Sequence, residues 1–161
     1  MTRSIFKVSA FLFLSFSASI INAQLSPDWL HNVGGTNNDG VLSIVKDASD
    51  NVYSTGYFSG TVDFDPGAGV SNLTSAGAYD IFIKKNDING NLLWAKRIGA
   101  VNNDVAFDLE LDPVNNVYLT GYFQGTAVDF DPGVGTANLN SLGSSNAGIF
   151  VLKLDLNGNY Q

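Results

Sequence analysis

Residues 51–67 read NVYSTGYFSGTVDFDPG, and residues 116–133 read NVYLTGYFQGTAVDFDPG. The second stretch begins 65 residues after the first and carries one inserted residue, Ala127. A block that recurs at a fixed spacing is typical of repeat proteins, in which each copy forms one unit of supersecondary structure. The chain is therefore predicted to consist of repeated units.

The similarity extends beyond this block in both directions. Asn-Asn-Asp precedes each copy, and Asp-x-Asn-Gly-Asn follows each copy at 87–91 and 155–159. The stretch around Trp29 also resembles the stretch around Trp94, which ends the first copy. This pattern divides the chain into a lone N-terminal strand (24–38), a first repeat (39–103) and a second repeat (104–161) that lacks its last strand.

Each repeat is predicted to form antiparallel strands joined by tight turns. Apolar and polar residues alternate, as in half-buried strands, and the Asn-Gly pairs favour hairpins. A glycine inside the second strand of each copy, Gly56 and Gly121, predicts a close backbone approach or a bulge. The long connections 60–79 and 125–148 are predicted loops. The predicted strands are 41–47, 51–59, 80–86 and 92–98, followed by 105–112, 116–124 and 149–154.

Composition excludes several classes of function. The chain has 161 residues and no cysteine, so it has neither disulfides nor thiolate metal sites. Its net charge of -7 argues against nucleic-acid binding, which uses clustered Lys and Arg. Its 17 glycines and 12% aromatic residues favour β-structure with many turns.

The first 23 residues are predicted to be a signal peptide. Arg3 and Lys7 precede an apolar run at 8–21, which is too short for a comfortable membrane span. Cleavage is predicted after Ala23, which would give a secreted or cell-surface protein with no membrane span. An uncleaved membrane anchor is the alternative.

The repeated residues resemble the bacterial β-propeller repeat often called SBBP. The pattern is Gly-Gly-x-x-x-Asp, an apolar strand, and then Asp-x-x-x-Asn-Val-Tyr-x-x-Gly-x-Phe. The resemblance implies an all-β fold of four-stranded antiparallel propeller blades, in exported or cell-surface proteins, with no shared catalytic residues. The first copy carries it at Gly34, Gly35, Asp39, Ile44, Asp47, Asn51, Val52, Tyr53, Gly56 and Phe58. The second copy carries it at Asp104, Leu109, Asp112, Asn116, Val117, Tyr118, Gly121 and Phe123, with Ala100 in place of Gly35.

The two repeats are predicted to form about two blades, which is an incomplete propeller, because rings usually need about 4–8 blades. The chain could be part of a longer propeller, a subunit whose copies assemble into a ring, or an open product. In a ring of copies, the Trp29 strand could complete the blade that lacks its fourth strand.

Two Asp-x-Asp pairs in the long connections are weak calcium candidates, because carboxylate oxygens suit this cation. A calcium site needs about 6–8 oxygens, and a pair supplies few. The favoured interpretation is a turn in which each carboxylate accepts backbone N–H bonds beside Pro-Gly. The pairs are Asp63 with Asp65 and Asp129 with Asp131. No other cofactor is predicted.

Other candidate sites have simpler structural explanations. The segment from Asp87 resembles the start of an EF-hand loop, but a hairpin turn accounts for it. His31 is the only histidine, so a histidine metal site or a Ser-His-Asp triad has little support. Asp108 and Glu110 could resemble a pair of acid/base carboxylates, but they have no carboxylate counterpart in the first repeat, and solvated charges are favoured. Aromatic residues could bind sugars, but packing between blades is favoured. They are Trp29, Trp94, Tyr57, Tyr122 and Phe58.

These observations predict an exported β-propeller repeat protein with a non-catalytic binding, adhesion or structural role. Its partner would be a protein or a glycan, with a homo-oligomer or the remainder of a longer chain also open. The alternatives are a small lectin-like subunit that assembles into a ring and the repeat region of a larger secreted enzyme.

Overall fold

The computed structural model describes residues 29–142 and 146–161. Every regular element in these residues is a β-strand, which confirms the predicted all-β class, and no helix there could cross a bilayer. The predicted signal peptide, residues 1–23, lies outside the described residues. The strands are β1 Gly40–Lys46, β2 Val52–Phe58, β3 Thr61–Asp63, β4 Asn72–Thr74, β5 Asp80–Asn86, β6 Leu92–Ile98, β7 Val105–Leu111, β8 Val117–Gln124, β9 Val128–Asp129, β10 Asn138–Leu139 and β11 Ala147–Leu154.

Two larger antiparallel sheets correspond to the two repeats. Sheet I contains four strands in the order β1-β2-β5-β6, and sheet II contains three in the order β11-β8-β7. Consecutive long strands are neighbours in both, as in the blades of a propeller. The fold therefore consists of two partial propeller blades.

The turns between paired strands share one arrangement. The Asp47 carboxylate accepts the backbone N–H of Ser49 and Asn51 at 2.9 and 3.0 Å, and the Asn51 side-chain amide at 2.8 Å. Burial favours the neutral form of most of these Asp side chains, but the hydrogen bonds outweigh it, so the pKa of each lies below its ordinary value. The Asp-x-x-x-Asn spacing is thus a turn motif. The other turns of this kind are Asp87–Asn91, Asp112–Asn116 and Asp155–Asn159.

The long connections contain short hairpins that the sequence interpretation missed. β3 pairs with β4, and β9 pairs with β10, where loops were predicted. Each hairpin buries one phenylalanine, Phe64 or Phe130, against the phenylalanines of its own sheet. Strands of two or three residues are too short for an alternating pattern to be visible, which explains the difference.

The two sheets pack face to face. We call the face of each sheet on the Ile81 or Ile149 side its trailing face, and the opposite face its leading face. The trailing face of sheet I and the leading face of sheet II form one buried cluster, with β7 lying against β1 and β2. Sheet I contributes Tyr53, Ile81, Ile83 and Ile98, and sheet II contributes Ala106, Leu109, Val117, Leu119, Phe123, Phe150, Leu152 and Leu154.

The N-terminal segment lies beside sheet I without forming a strand. Residues 29–39, the described part that precedes β1, carry no strand, although a lone strand was predicted at 24–38. The indole N–H of Trp29 donates to the carbonyl of Ile88 at 3.0 Å, as Trp94 donates to Leu156 at 3.3 Å. The segment therefore contacts sheet I as β6 contacts sheet II, but no described strand lies beside it to pair with its backbone.

Candidate functional site

A groove on the leading face of sheet I is the main candidate for a binding surface. Its volume is about 320 Å³, and its walls come from sheet I, the β3 region and the N-terminal segment. Its lining includes Trp29, Val41, Ile44, Phe64 and Lys84. The groove is mostly apolar, and this face has no second sheet packed against it in the described residues.

Positions related by the repeat have opposite environments in the two sheets. On the trailing faces, Ile81 of sheet I is 1% exposed, whereas its counterpart Ile149 in sheet II is 88% exposed. On the leading faces, Leu109 of sheet II is 1% exposed, whereas its counterpart Ile44 in sheet I is 64% exposed. The exposed residues thus occupy positions whose counterparts in the other sheet are buried in the contact between the two sheets. Within residues 29–142 and 146–161, the structure consequently presents one open leading face and one open trailing face.

One cation lies in the groove without a carboxylate partner among the described residues. Burial lowers the pKa of the Lys84 ammonium, and no ion pair offsets this effect. By contrast, Lys85 on the opposite face is buried with its ammonium 3.7 Å from the Asp47 carboxylate and 4.7 Å from the Tyr53 ring centroid. The groove is therefore mostly apolar, with the Lys84 ammonium and the Asp39 carboxylate both in its lining.

The predicted calcium candidates lie in turns at the ends of β3 and β9. Asp63 accepts the backbone N–H of Asp65 at 3.1 Å and of Ser71 at 2.8 Å. Asp129 accepts those of Asp131 and Ala137 at 3.0 and 2.8 Å. The structure brings no third acidic or histidine side chain to either pair within the described residues. The contacts are those of the turn interpretation, and calcium binding remains a prediction that no observation tests.

Asp63→Ala is expected to lower the free energy of unfolding by about 1–2 kcal/mol, because two backbone N–H groups lose their acceptor. Asp63→Asn should lose less, since its amide oxygen can accept one of these bonds. Urea unfolding in excess chelator measures both variants. Calcium should leave the wild-type midpoint unchanged. A midpoint that rises with calcium in the wild type but not in Asp63→Ala would support a metal site instead.

A buried charged cluster, missed in the sequence interpretation, lies where β6 turns toward β7. Asp80 and Asp104 are both 0% exposed, and the Arg97 guanidinium pairs with Asp80 at 2.5 Å. Asp104 accepts the backbone N–H of Ala100 at 2.7 Å and of Gln124 at 3.0 Å. Asp80 and Arg97 lie on neighbouring strands, so only the strand pairing reveals their proximity.

Burial raises the pKa of both carboxyls in this cluster. For Asp104 the pKa rises from 3.8 to about 6, because desolvation outweighs its backbone hydrogen bonds and the Asp80 charge adds to the effect. For Asp80 burial also raises the pKa, and the Ala76 N–H and Arg97 oppose the rise. The hydrogen bonds that Asp104 accepts from backbone N–H groups hold the turn in place. Tyr122 lies nearby, and its pKa is raised by burial and by the charge of Asp104.

Stability is expected to fall as the pH rises from about 4 to about 6. The folded state holds a proton on Asp104 in this window, whereas the unfolded state has released it, so folding is favoured at the lower pH. Asp104→Asn should reduce this fall, and Asp39→Asn, the equivalent change in the first repeat, should preserve it. Urea unfolding at pH 4.5, 5.5 and 7 measures the effect; a wild-type stability that rises over this range would contradict it.

The remaining candidates take part in packing. Trp29 stacks on His31 with ring centroids 5.1 Å apart, and Trp94 lies edge-on to Tyr53 at 6.1 Å. Phe58 is buried, Tyr57 contacts Tyr79, and Tyr122 contacts Phe107. Asp108 accepts a hydrogen bond from the Ser43 hydroxyl at 2.8 Å, across the two sheets. The structure thus brings Asp108 to the junction between the sheets, while Glu110 is exposed.

No family model matches the chain. The chain is similar to an uncharacterised WD repeat-containing protein of Acanthamoeba polyphaga mimivirus, with 29% identity over 115 residues that cover 63% of this chain. The aligned stretch covers 8% of that protein, so the chain spans a small part of its relative. WD repeats form β-propeller blades. The similarity and the two packed sheets together indicate a β-propeller-like repeat protein; the SBBP assignment and bacterial origin remain predictions.

Proposed function

We propose that this chain is an exported β-propeller repeat module whose role is non-catalytic binding, adhesion or structural support. The observation that carries the proposal is the opposite exposure of repeat-related residues, such as Ile81 and Ile149. Apolar side chains at interface positions remain open on both outer faces. A module with such faces is suited to assembly and to binding a protein or glycan through the loops that the blades present.

Export is supported by the N-terminal sequence. Arg3 and Lys7 precede the apolar run at 8–21, and Ala23 provides the small residue before the cleavage site. Expression from Met1 in a bacterial host, followed by fractionation and intact-mass measurement, tests this part. The expected product lies outside the cytoplasm and begins at Gln24. A cytoplasmic product that retains residues 1–23 would contradict export.

The non-catalytic role is tested by binding measured together with turnover. The recovered chain is applied to an array of bacterial and eukaryotic surface glycans, and bound glycans are then analysed by mass spectrometry. Saturable binding with unchanged glycan mass would support the lectin-like form of the proposal. Cleavage of the bound glycan that scales with the amount of purified chain would overturn the non-catalytic assignment. A chain that binds no glycan is expected to contact a protein.

A further inference from the structure

We propose that copies of this chain associate head to tail, with the open trailing face of sheet II docking onto the open leading face of sheet I in the next copy. This inference rests on the proposed β-propeller function. The occupant of the groove beside Ile44 and Lys84 is then sheet II of a second copy. The same kind of contact already exists within one chain, where the trailing face of sheet I covers the leading face of sheet II.

The trailing face of sheet II has the side chains that this docking needs. In the contact within the chain, Tyr53, Ile81 and Ile83 are each at most 1% exposed. Their counterparts in sheet II are a tyrosine, an isoleucine and a valine, which are 36%, 88% and 81% exposed. A lysine ammonium lies over the tyrosine ring in both sheets, at 4.7 Å in sheet I and 5.8 Å in sheet II. The counterparts are Tyr118, Ile149 and Val151.

The two open faces also differ in charge in a complementary way. On the leading faces, Lys46 and Lys84 of sheet I replace Leu111 and Leu152 of sheet II. Lys46 is already paired with Asp50, so Lys84 is the added cation that has no carboxylate partner among the described residues. At the positions of Ser43 and Val45 in sheet I, sheet II instead has acidic residues. Lys84 and the added carboxylates therefore lie on faces that meet when copies dock. This complementarity favours a second copy of the chain over an unrelated apolar partner. The acidic residues are Asp108 and Glu110.

A polar contact marks the junction between the sheets. Within the chain, the Ser43 hydroxyl donates to Asp108 Oδ1 at 2.8 Å and accepts the Leu109 N–H at 3.2 Å. Between copies, Asp108 of the docking sheet occupies the place of Ser43. The Ser43 hydroxyl has a single proton, which it already donates to Asp108 of its own chain, so the docking carboxylate is left to accept a backbone N–H there.

The N-terminal segment fits the same arrangement. It contacts sheet I through Trp29 as β6 contacts sheet II through Trp94. A Cβ added at Gly90, in the β5–β6 turn, would meet Trp29 and His31, and one added at Gly158 would meet Trp94 and Lys96 at the equivalent positions. When a second copy docks, its N-terminal segment therefore lies along the outer edge of β11, in the place that β6 occupies beside β5. This contact covers an open strand edge.

Light scattering of the chain, expressed from Met1 and analysed in the form recovered from the host, tests the association. We expect a discrete species of about two to four copies, because a closed ring needs about 4–8 blades and each chain supplies about two. Ile149→Asp and Ile44→Asp each replace an apolar side chain that docking would bury with a carboxylate, so each variant alone should be monomeric. Val134→Asp, at a fully exposed loop position, should remain assembled.

Mixing the two monomeric variants distinguishes this arrangement from a symmetric contact. Ile44→Asp retains the trailing face and Ile149→Asp retains the leading face, so a 1:1 mixture should form a heterodimer that grows no further. Circular dichroism of each variant, compared with wild type, shows whether it is folded. A wild-type chain that stays monomeric at all concentrations, or folded variants that fail to pair, would overturn the proposal. Either result leaves the export and glycan measurements interpretable, so failure of the two proposals can be told apart.

Discussion

Ile81→Ala is expected to lower the free energy of unfolding by about 2–5 kcal/mol, the usual cost of removing a large buried aliphatic side chain. Ile81 is 1% exposed in the cluster between the two sheets, so its truncation leaves a cavity among closely packed side chains. Urea unfolding followed by tryptophan fluorescence measures the loss. The loss should appear in the global unfolding transition, because the contact between the sheets contains most of the buried apolar side chains.

Ile149→Ala is the matched control, since it makes the same chemical change at the equivalent repeat position. Ile149 is 88% exposed in the single chain. At protein concentrations that keep copies apart, its effect should be within about 0.5 kcal/mol. At higher concentrations the variant should lose stability relative to wild type, because association buries this side chain. Equal losses for Ile81→Ala and Ile149→Ala in dilute solution would mean that the sheets do not pack as described.

Gly121→Ala is expected to destabilise the second repeat by about 3 kcal/mol, near the upper end of the usual cost of overpacking. A Cβ at this position would lie 2.0 Å from the Val105 carbonyl oxygen and 2.8 Å from the Ala106 Cα. Both contacts are with backbone atoms of β7, beside a register shift between Ala106 and Asp108, so neither can move without breaking the strand pairing. Hydrogen exchange of the β7 and β8 amides locates the damage.

Gly34→Ala provides the control for this glycine substitution. Its added Cβ would meet only the Asp39 carboxylate, at an ordinary contact distance of 3.4 Å. The free energy of unfolding should change by less than about 0.5 kcal/mol. If Gly121→Ala proved equally mild, the close approach of β7 and β8 would be wrong. Gly56 has the same environment, with a Cβ placed 1.9 Å from the Gly40 carbonyl oxygen, so the predicted close approach is confirmed in both copies.

The long strands were predictable because each one carries its own signal. Alternating side chains and Asp-to-Asn turns placed β1, β2, β5 and β6 to within one residue of their observed bounds. The turn chemistry is local, since each Asp contacts groups within the next four residues. By contrast, the hairpins of the long connections were missed, because strands of two or three residues are stabilised by packing of Phe64 and Phe130 rather than by a visible pattern.

The candidate site was less predictable than the strands. The Asp63 and Asp129 turns follow from local sequence, and the structure gives them backbone partners. The Asp80–Arg97 pair could not be found, because 17 residues separate its members and only the β5–β6 register joins them. For Asp104, the sequence did contain one signal of a structural role: it ends the same Asn-Asn-Asp sequence as Asp39 in the first repeat.

By itself, the sequence determined the repeat, the strand order along the chain and the turns, because these depend on contacts between neighbouring residues and on side-chain alternation. Only the tertiary structure decided which copy buries each repeated position. Ile81 and Ile149 have the same side chain in the same strand context, yet one is buried and the other is exposed. The physical reason is that burial depends on the neighbouring sheet. Sheet I has sheet II against its trailing face, whereas the trailing face of sheet II has no such neighbour in the described chain.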